Sequence, residues 1–429
     1  MKLVKMSLAA AMLMGASAFA IENVKASGTA NLFYHTEDDS VYMPSTPTPD
    51  MFDSAASAAD FSLSIGATAD LTTGVSAGVT GYGVSALGVE GQLVDMVWSG
   101  AHEVSANSAA AFAGGAEVDD AFWIGEAWLA GTVGKTTAKI GRMALDTPLA
   151  YTETWSVAPN TFESAVIMNQ DIPDTTIVGA WVGAHNGVAN AVDAGLNLGL
   201  GNIGLGGAAD PVSVNGDFHT FQNDGAFALA VINNSFKPLT AQGWYYDVQS
   251  LATAYWLQVD LDMEGFLAGA QYTNIDVDGA ADDDEAFALM AGYAIPDVAT
   301  IKLAYSQVED KGAIGSVNNL STGLSSKLYT ELWWWFTAGV TGAETVALTA
   351  EGTVGGVDLF AGYYNVDIDP SGALNNSEVT EFTVTAGKSF GPLDATVALI
   401  YDEFDQDAAW AADDLQDLTA FQVYLTYNF

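Results

Sequence analysis

The amino-acid sequence predicts an all-β fold, namely a transmembrane antiparallel β-barrel of about 18 strands, within a range of roughly 16 to 20. Three observations predict it. Apolar and polar residues alternate with a period of two, no apolar run is long enough for a membrane-spanning helix, and short connections alternate with long polar ones. Together they favour strands over helices as the membrane-crossing elements.

The alternation is clearest in residues 60–71, and it recurs in residues 299–306 and 393–402. A strand directs successive side chains to opposite faces. In a barrel, the apolar face contacts lipid and the face rich in Gly, Ser, Thr and acids lines a wet lumen. A soluble β-sandwich shows the same alternation with the faces exchanged, so the pattern alone leaves both open. The apolar positions of the first segment are Phe61, Leu63, Ile65, Ala67, Ala69 and Leu71.

Hydropathy favours the membrane. Half of the residues are hydrophobic, yet no uninterrupted apolar run reaches the ~18 residues that a helical span needs. Inside lipid every backbone N–H and C=O must be paired within the protein, which only helices and closed barrels achieve. The sequence contains no cysteine, which excludes disulfides, thiolate metal sites and a cysteine nucleophile.

The first 20 residues are predicted to be a cleaved Sec-type signal peptide. Lys2 and Lys5 form a positive n-region, residues 6–19 form a short apolar stretch, and residues 18–20 give a small-x-small cleavage pattern. Residues 21–429 then form a single barrel domain with nine basic and 53 acidic residues, a net charge of −44. So acidic a chain repels nucleic acid.

The connections are of two kinds. Outer-membrane barrels join their strands by tight turns on the periplasmic side and by long loops outside. Strand assignment is least certain in residues 186–236 and 327–342. Tight turns are predicted at residues 72–74, 132–134, 262–265, 296–297, 355–356 and 391–392, and long loops at 35–58, 85–118, 145–162, 210–223, 276–283, 309–326, 367–377 and 405–416.

The last predicted strand carries its aromatic and aliphatic residues on one face and ends on an aromatic residue. Leu425, Tyr427 and Phe429 share this face with Phe421 and Val423. A terminal strand of this kind resembles the signal that the barrel-assembly machinery of Gram-negative bacteria recognises. The expected location is therefore the outer membrane, in contact with its lipid and lipopolysaccharide.

Two further clusters have more than one interpretation. The aromatic run at residues 332–336, beside Tyr329, predicts part of an interfacial girdle, with sugar stacking as the alternative. An acidic run predicts a solvated loop, with a Ca²⁺ site as the weaker alternative because the EF-hand spacing is absent. No cofactor is otherwise expected, and no nucleophile motif indicates an enzyme. The acidic run consists of Asp282, Asp283, Asp284 and Glu285.

Residues 139–180 form the segment most indicative of function. A strand ends near Arg142, a Pro-containing loop follows, and a strand resumes near Ser164. Acidic loop residues facing strand bases would create a transverse field that orients polar solutes and filters them by charge. The predicted constriction consists of Lys139, Arg142, Asp146, Glu153, Trp155 and Glu163.

At this segment the sequence resembles a known family. The stretches IGRMALDTPL and PNTFESAVI resemble the pore-loop region of epsilonproteobacterial outer-membrane porins, including the major porin of Campylobacter-type bacteria. They are distantly similar to the substrate-specific porins of pseudomonads. The resemblance implies an 18-stranded barrel, both termini in the periplasm, a third loop folded inward, and commonly a homotrimer. It also implies transport of ions and small hydrophilic solutes.

The expected function is a water-filled pore that prefers cations. The pseudomonad relatives line their pores with a basic ladder, whereas this chain has Arg142 as its single arginine. An excess of carboxylates gives a negative potential that enriches cations and excludes anions. A channel specific for small solutes and a structural or adhesive surface barrel are the alternatives.

Overall fold

The computed structural model describes residues 21–38, 50–89, 92–94, 120–155, 157–187, 216–220, 225–369, 377–406 and 417–429. The predicted signal peptide lies outside these residues. None of the helical segments in the described ranges has the length and apolar character needed to cross a membrane.

The described residues form nineteen strands and one short 3-10 turn, Ser54–Ala56. One strand, β8, has only two residues, so eighteen long strands build the wall, in agreement with the predicted number. The strands are β1 (Glu22–Asp38), β2 (Ser57–Thr72), β3 (Val75–Ser85), β4 (Ala121–Val133), β5 (Thr136–Met143), β6 (Phe162–Asn169), β7 (Thr175–His185), β8 (His219–Thr220), β9 (Ala226–Asn233), β10 (Leu239–Val248), β11 (Ala252–Met263), β12 (Phe266–Val277), β13 (Asp284–Ile295), β14 (Ala299–Val308), β15 (Ala343–Val354), β16 (Val357–Ile368), β17 (Ser377–Phe390), β18 (Leu393–Gln406) and β19 (Leu418–Asn428).

The strands close into a ring. Each long strand pairs antiparallel with the next one along the chain, β7 pairs with β9 past the short β8, and β19 pairs with β1. Closure leaves no edge strand, so the backbone of the wall is hydrogen-bonded on both sides, as a lipid environment requires. The predicted antiparallel barrel is confirmed.

The two faces of the wall differ as the alternation predicts. On β2 the side chain of Ile65 is 53% exposed on the outside, whereas Ser62 is fully buried on the inside. The same alternation places Ile301 and Leu399 outside, and Ala304 and Ile400 inside. In the membrane the outward residues contact lipid, which resolves the choice between barrel and sandwich.

The connections also divide as predicted. All six predicted tight turns join consecutive strands at one end of the barrel, and residues 170–174 and 234–238 form two more there. Gly355 and Gly356 make the β15–β16 turn with φ angles of 60° and 76°, which fit the left-handed turns that glycine favours in hairpins. The strand ends that flank the long connections lie at the other end, although residues 249–251 form a short turn there that the sequence did not predict.

Residues 327–342 were one of the two uncertain regions, and they are not a strand. β14 ends at Val308 and β15 begins only at Ala343, so one connection spans residues 309–342. Within it, an isolated bridge joins Ser316 and Val340. The predicted loop, 309–326, therefore ended too early.

The seam between β1 and β19 depends on a glycine. Gly28 exchanges two backbone hydrogen bonds with Phe429, at 2.9 and 3.0 Å, and a Cβ on Gly28 would lie 2.4 Å from the Phe429 ring. We expect Gly28→Val to destabilise the barrel by about 1–3 kcal/mol, because the ring must leave its place. Heat-modifiable mobility on SDS gels gives the unfolding temperature, which should be lower for Gly28→Val than for the wild type.

Gly131→Val on β4 is the matched control, since a Cβ there would meet no described atom within 4 Å. Equal unfolding temperatures for the two variants would contradict the role assigned to Gly28.

Candidate pore constriction

Among the residues that the structure describes, two long connections fold into the barrel. We call residues 144–161, between β5 and β6, inner loop 1, and residues 309–342, between β14 and β15, inner loop 2. Inner loop 1 is the predicted inward third loop, and the structure confirms that it folds inward. Inner loop 2 was not predicted to do so.

Inner loop 1 contacts the inner side of the wall at strands that are not its neighbours in the sequence. The backbone oxygen of Val157 accepts hydrogen bonds from Ser62 Oγ on β2 (2.6 Å) and Asn31 Nδ2 on β1 (3.3 Å). Leu149 is fully buried in the same apolar cluster as Trp256 of β11. The loop is therefore held against inward-facing residues at two points along its length.

Inner loop 2 crosses the lumen from β12 to β19. Its Tyr329 backbone N–H donates to Gln271 Oε1 on β12 (3.1 Å), and its Trp333 Nε1 donates to Gln422 Oε1 on β19 (3.2 Å). Both acceptors project from the inside of the wall. A solute moving through the barrel must pass beside this loop.

Glu381 of β17 holds the tryptophans of inner loop 2. Its two carboxylate oxygens accept the backbone N–H groups of three consecutive tryptophans at 2.9, 2.9 and 3.0 Å, and Thr383 Oγ1 also donates to it at 2.9 Å. A carboxylate bonded by successive backbone N–H groups occupies an anion-binding nest. The three tryptophans are Trp333, Trp334 and Trp335.

These tryptophans correct the predicted interfacial girdle. Trp334 is 5% exposed and stacks on His35 of β1 with ring centroids 4.5 Å apart, and Trp335 packs edge-on against Phe404 of β18. The run lies inside the barrel instead of at the headgroup level. An aromatic cluster suits either environment, and the buried carboxylate of Glu381 decides between them.

The two inner loops bind each other through amide and hydroxyl groups. Leu320 N donates to Leu149 O (2.9 Å), and Asn319 exchanges two hydrogen bonds with the backbone of Tyr151, at 3.2 and 2.9 Å. Asn160 Nδ2 donates to Ser321 Oγ at 2.9 Å. The loops therefore act as one inner layer.

Glu153 is the centre of this layer. It is only 3% exposed, and its Oε1 accepts hydrogen bonds from Thr322 Oγ1 (2.6 Å), Ser325 Oγ (2.8 Å) and Asn319 Nδ2 (2.9 Å). Trp155 Nε1 donates to its other oxygen at 2.8 Å. The predicted field had Glu153 facing Lys139 and Arg142, whereas here it joins the two loops.

Arg142 and Glu163 do not face each other across the lumen either. They are cross-strand neighbours, and both Nε and Nη2 of Arg142 lie 2.9 Å from Glu163 Oε1, while Nη1 donates to Ile124 O at 2.9 Å. The adjacent residues Met143 and Phe162 occupy the buried face. The pair neutralises itself within the wall because strand pairing places the two residues side by side.

The three remaining residues of the predicted constriction also have contacts that differ from the predicted ones. Lys139 Nζ lies 4.3 Å from the centre of the Trp128 ring. Asp146 Oδ1 pairs with Lys327 Nζ of inner loop 2 at 2.8 Å. Trp155 packs against Phe336, with ring centroids 5.3 Å apart. Inner loop 1 thus folds inward as predicted, and its Asp146, Glu153 and Trp155 contact residues 309–342, which the sequence did not indicate as partners.

Glu331 of inner loop 2 is a buried acid that the sequence did not single out. Both the backbone N–H and the hydroxyl of Ser326 donate to its Oε2, the first at 2.9 Å. Burial raises the pKa of Glu331 to about 8; the Ser326 hydrogen bonds oppose this, and the charges of Glu153 and Glu381 add to it. Only the hydroxyl-rich, amide-rich segment 318–326 hinted in the sequence at a polar layer there.

The acidic run at residues 282–285 does not converge on one point. Asp284 accepts the backbone N–H groups of Ile314 and Gly315, both at 2.8 Å, and so fastens the start of inner loop 2. Asp283 and Glu285 instead accept from Asn274 Nδ2, at 2.9 and 3.1 Å. Within the described ranges, no group of three His, Asp or Glu residues could hold a metal ion.

A known protein family matches most of this sequence. The model of the family described as "outer membrane porin, OprD family" matches residues 19–333. No curated protein matches the chain by sequence.

Solved structures share the fold at low identity. Pseudomonas aeruginosa OccK9 (OpdG) superposes with a TM-score of 0.69 at 13% identity, covering 95% of this chain and 98% of that one. P. aeruginosa OpdK gives 0.68 at 12% identity, with 95% and 99% covered. Acinetobacter baumannii OccAB4 gives 0.69 at 12%, with 95% and 98% covered. None of these three comes from a Campylobacter-type bacterium, so they lend that narrower resemblance no support.

Proposed function

The chain belongs to the OprD family of outer membrane porins, and from this we propose that it is a cation-preferring channel for the passive diffusion of ions and small hydrophilic solutes. Family membership supports the channel and its place in the Gram-negative outer membrane. The preference for cations is our own proposal, and it rests on the charges of the inner wall.

The first support for a cation preference is that three basic residues on the inner side of the barrel are paired or shielded. Lys302, on the inward parity of β14, pairs with Glu351 of β15 at 3.2 Å, and Lys327 of inner loop 2 pairs with Asp146 at 2.8 Å. Arg142 stands on the outward parity of β5, where it pairs with Glu163. Lys139 lies against a tryptophan ring. Each ion pair cancels a positive charge locally, so Lys139, Lys302 and Lys327 do not make a continuous basic ladder along the lumen.

The acids at the turn end of the barrel are the observation that carries the proposal. Three of them stand on the inward parity of their strands and accept hydrogen bonds from neutral side chains. Asn23 donates to Asp70 at 2.6 Å, Thr353 to Asp358 at 2.6 Å, and Asn428 to Asp394 at 3.1 Å. Neutral donors orient a carboxylate without adding a positive charge beside it. A rim of such carboxylates enriches cations at the mouth of the pore.

Reversal potentials in planar bilayers under a KCl gradient test this proposal. We expect a sign that shows potassium to be more permeant than chloride, and a weaker preference at ~1 M than at ~0.1 M salt, because the Debye length falls from about 10 to about 3 Å. An anion-selective sign in the wild-type channel would overturn the cation preference and leave the channel function intact.

The two inner loops favour one alternative, a channel specific for a small solute. Their mutual hydrogen bonds make a layer across the lumen, which restricts the path more than a single loop would. Such a channel would show small conductance and saturable block by its solute. An adhesive surface barrel would show no conductance in the same measurement.

Assembly belongs to the same proposal. We expect a homotrimer in outer-membrane lipid and lipopolysaccharide, inserted by the barrel-assembly machinery through the face that carries Leu425, Tyr427 and Phe429. Tyr427 is exposed on the outer face, and Phe429 is exposed at the end of the same strand.

A further inference from the structure

The ion pair between the two inner loops differs from their other contacts. Lys327 Nζ of inner loop 2 lies 2.8 Å from Asp146 Oδ1 of inner loop 1, and 4.4 Å from the centre of the Tyr151 ring. Most other links between the loops are hydrogen bonds in which buried amide, hydroxyl and backbone groups donate to one another or to the Glu153 carboxylate. The Lys327–Asp146 link instead joins a cation to a carboxylate.

The pair is also open to water. The Lys327 side chain is 39% exposed and that of Asp146 is 85% exposed, whereas Asn319 and Glu153 beside them are buried. The backbone oxygen of Lys327 accepts a hydrogen bond from Gln271 Nε2 (2.9 Å), and Gln271 projects inward from β12. Lys327 is therefore anchored inside the barrel, so the water that its side chain meets is the water of the lumen.

Because both side chains are exposed to water, the ion pair contributes little to the stability of the fold. Exposed ion pairs contribute about 0–1 kcal/mol, and the two loops hold together through many other hydrogen bonds. Removing either charge should therefore leave the inner layer folded while changing the electrostatic potential that passing ions meet. The pair suits a role in selectivity better than a role in stability.

Resting on the proposed channel function, we propose that Lys327 and Asp146 are the residues that set the ion selectivity of the constriction. The ammonium group of Lys327 attracts anions and repels cations, and the carboxylate of Asp146 masks most of this charge. The balance between the two groups, in addition to the acidic rim at the turn end, decides the ratio of potassium to chloride permeability.

Two single variants test the proposal because they should act in opposite directions. Lys327→Gln exposes the charge of Asp146 and should raise the potassium-to-chloride permeability ratio, whereas Asp146→Asn exposes Lys327 and should lower it. A unit charge a few ångströms from the ion path changes such a ratio on the order of two- to fivefold in a watery pore. The double variant should return close to the wild-type ratio.

The opposite signs separate charge from structure. Each single variant breaks the same ion pair, so a merely structural role would change conductance or the permeability ratio in the same direction in both. Lys311→Gln is the matched control, because Lys311 is an exposed lysine near the start of the same loop. We expect that control to shift the reversal potential by less than Lys327→Gln does.

The measurement is the reversal potential in planar bilayers at ~0.1 M and ~1 M KCl, where screening should shrink both shifts. Shifts in one common direction, or no shift in either variant, overturn the proposal. The comparison is between variants, so it holds whatever the sign of the wild-type selectivity. A failure here is thus distinguishable from a failure of the cation preference.

Discussion

Replacing Glu381 by alanine is expected to raise the single-channel conductance several-fold. The carboxylate accepts the backbone N–H groups of residues 333–335, and its removal leaves three donors, one buried and two partly buried, without their acceptor. Each unsatisfied buried donor costs about 1–3 kcal/mol. Inner loop 2 should then leave the β17 wall and free part of the lumen that it now occupies.

The measurement is single-channel conductance in planar bilayers, with heat-modifiable gel mobility to show that the barrel is folded. Glu378→Ala is the control, since Glu378 is an exposed acid of the same strand that accepts a hydrogen bond from Asn365. We expect that control to conduct like the wild type. A folded Glu381→Ala channel with unchanged conductance would show that the loop is held by other contacts.

Alkaline pH should loosen the same loop through Glu331. Burial raises the pKa of this carboxyl from 4.5 to about 8, so the neutral form is the one that the folded loop favours. The stability contributed by the neutral form is fully present below pH 4.5 and is lost as the pH rises towards 8. One pKa unit corresponds to about 1.4 kcal/mol, so the loss is on the order of a few kcal/mol.

The charges around Glu331 strengthen this expectation. Glu153 of inner loop 1 and Glu381 of β17 both raise its pKa, and its Oε1 is buried with no hydrogen-bond partner in the described part of the chain. Ionisation of Glu331 therefore adds a negative charge within the inner layer, close to the carboxyl groups of Glu153 and Glu381. We expect larger current fluctuations and higher conductance at pH 9 than at pH 6, a range that brackets the pKa of about 8.

Glu331→Gln should remove most of that pH dependence, because its amide cannot ionise. Glu344→Gln, at an exposed position of β15, should keep the pH dependence of the wild type. If Glu331→Gln responds to pH as the wild type does, another titrating group controls the loop.

The wall of the barrel could be predicted from the sequence because its determinants are local. The positions of Ser62 and Ile65 on opposite faces follow from a period of two that every strand shares. Turns such as Gly355-Gly356 follow from backbone angles that glycine favours. Closure follows as well, since unpaired edges are not tolerated in lipid.

The inner layer could not be predicted in the same way. The tryptophans of residues 333–335 would suit a lipid interface, and they lie inside because Glu381, 46 to 48 residues further along the chain, accepts their N–H groups. Glu153 was predicted as a pore-facing charge, and its partner Asn319 is 166 residues away. Neither pairing leaves a periodic signal in the sequence.

The sequence by itself therefore determined a barrel of about 18 strands, the lipid-facing parity of each strand, and the one inward loop that its family resemblance implied. The tertiary structure alone decided that a second connection enters the lumen, and that Glu153 and Asp146 find their partners in it. It also decided that Arg142 pairs with Glu163 as a cross-strand neighbour instead of across the lumen. The physical reason is the range of the interactions: alternation and turns are set by neighbouring residues, whereas the loop contacts join segments that meet only after the ring has closed.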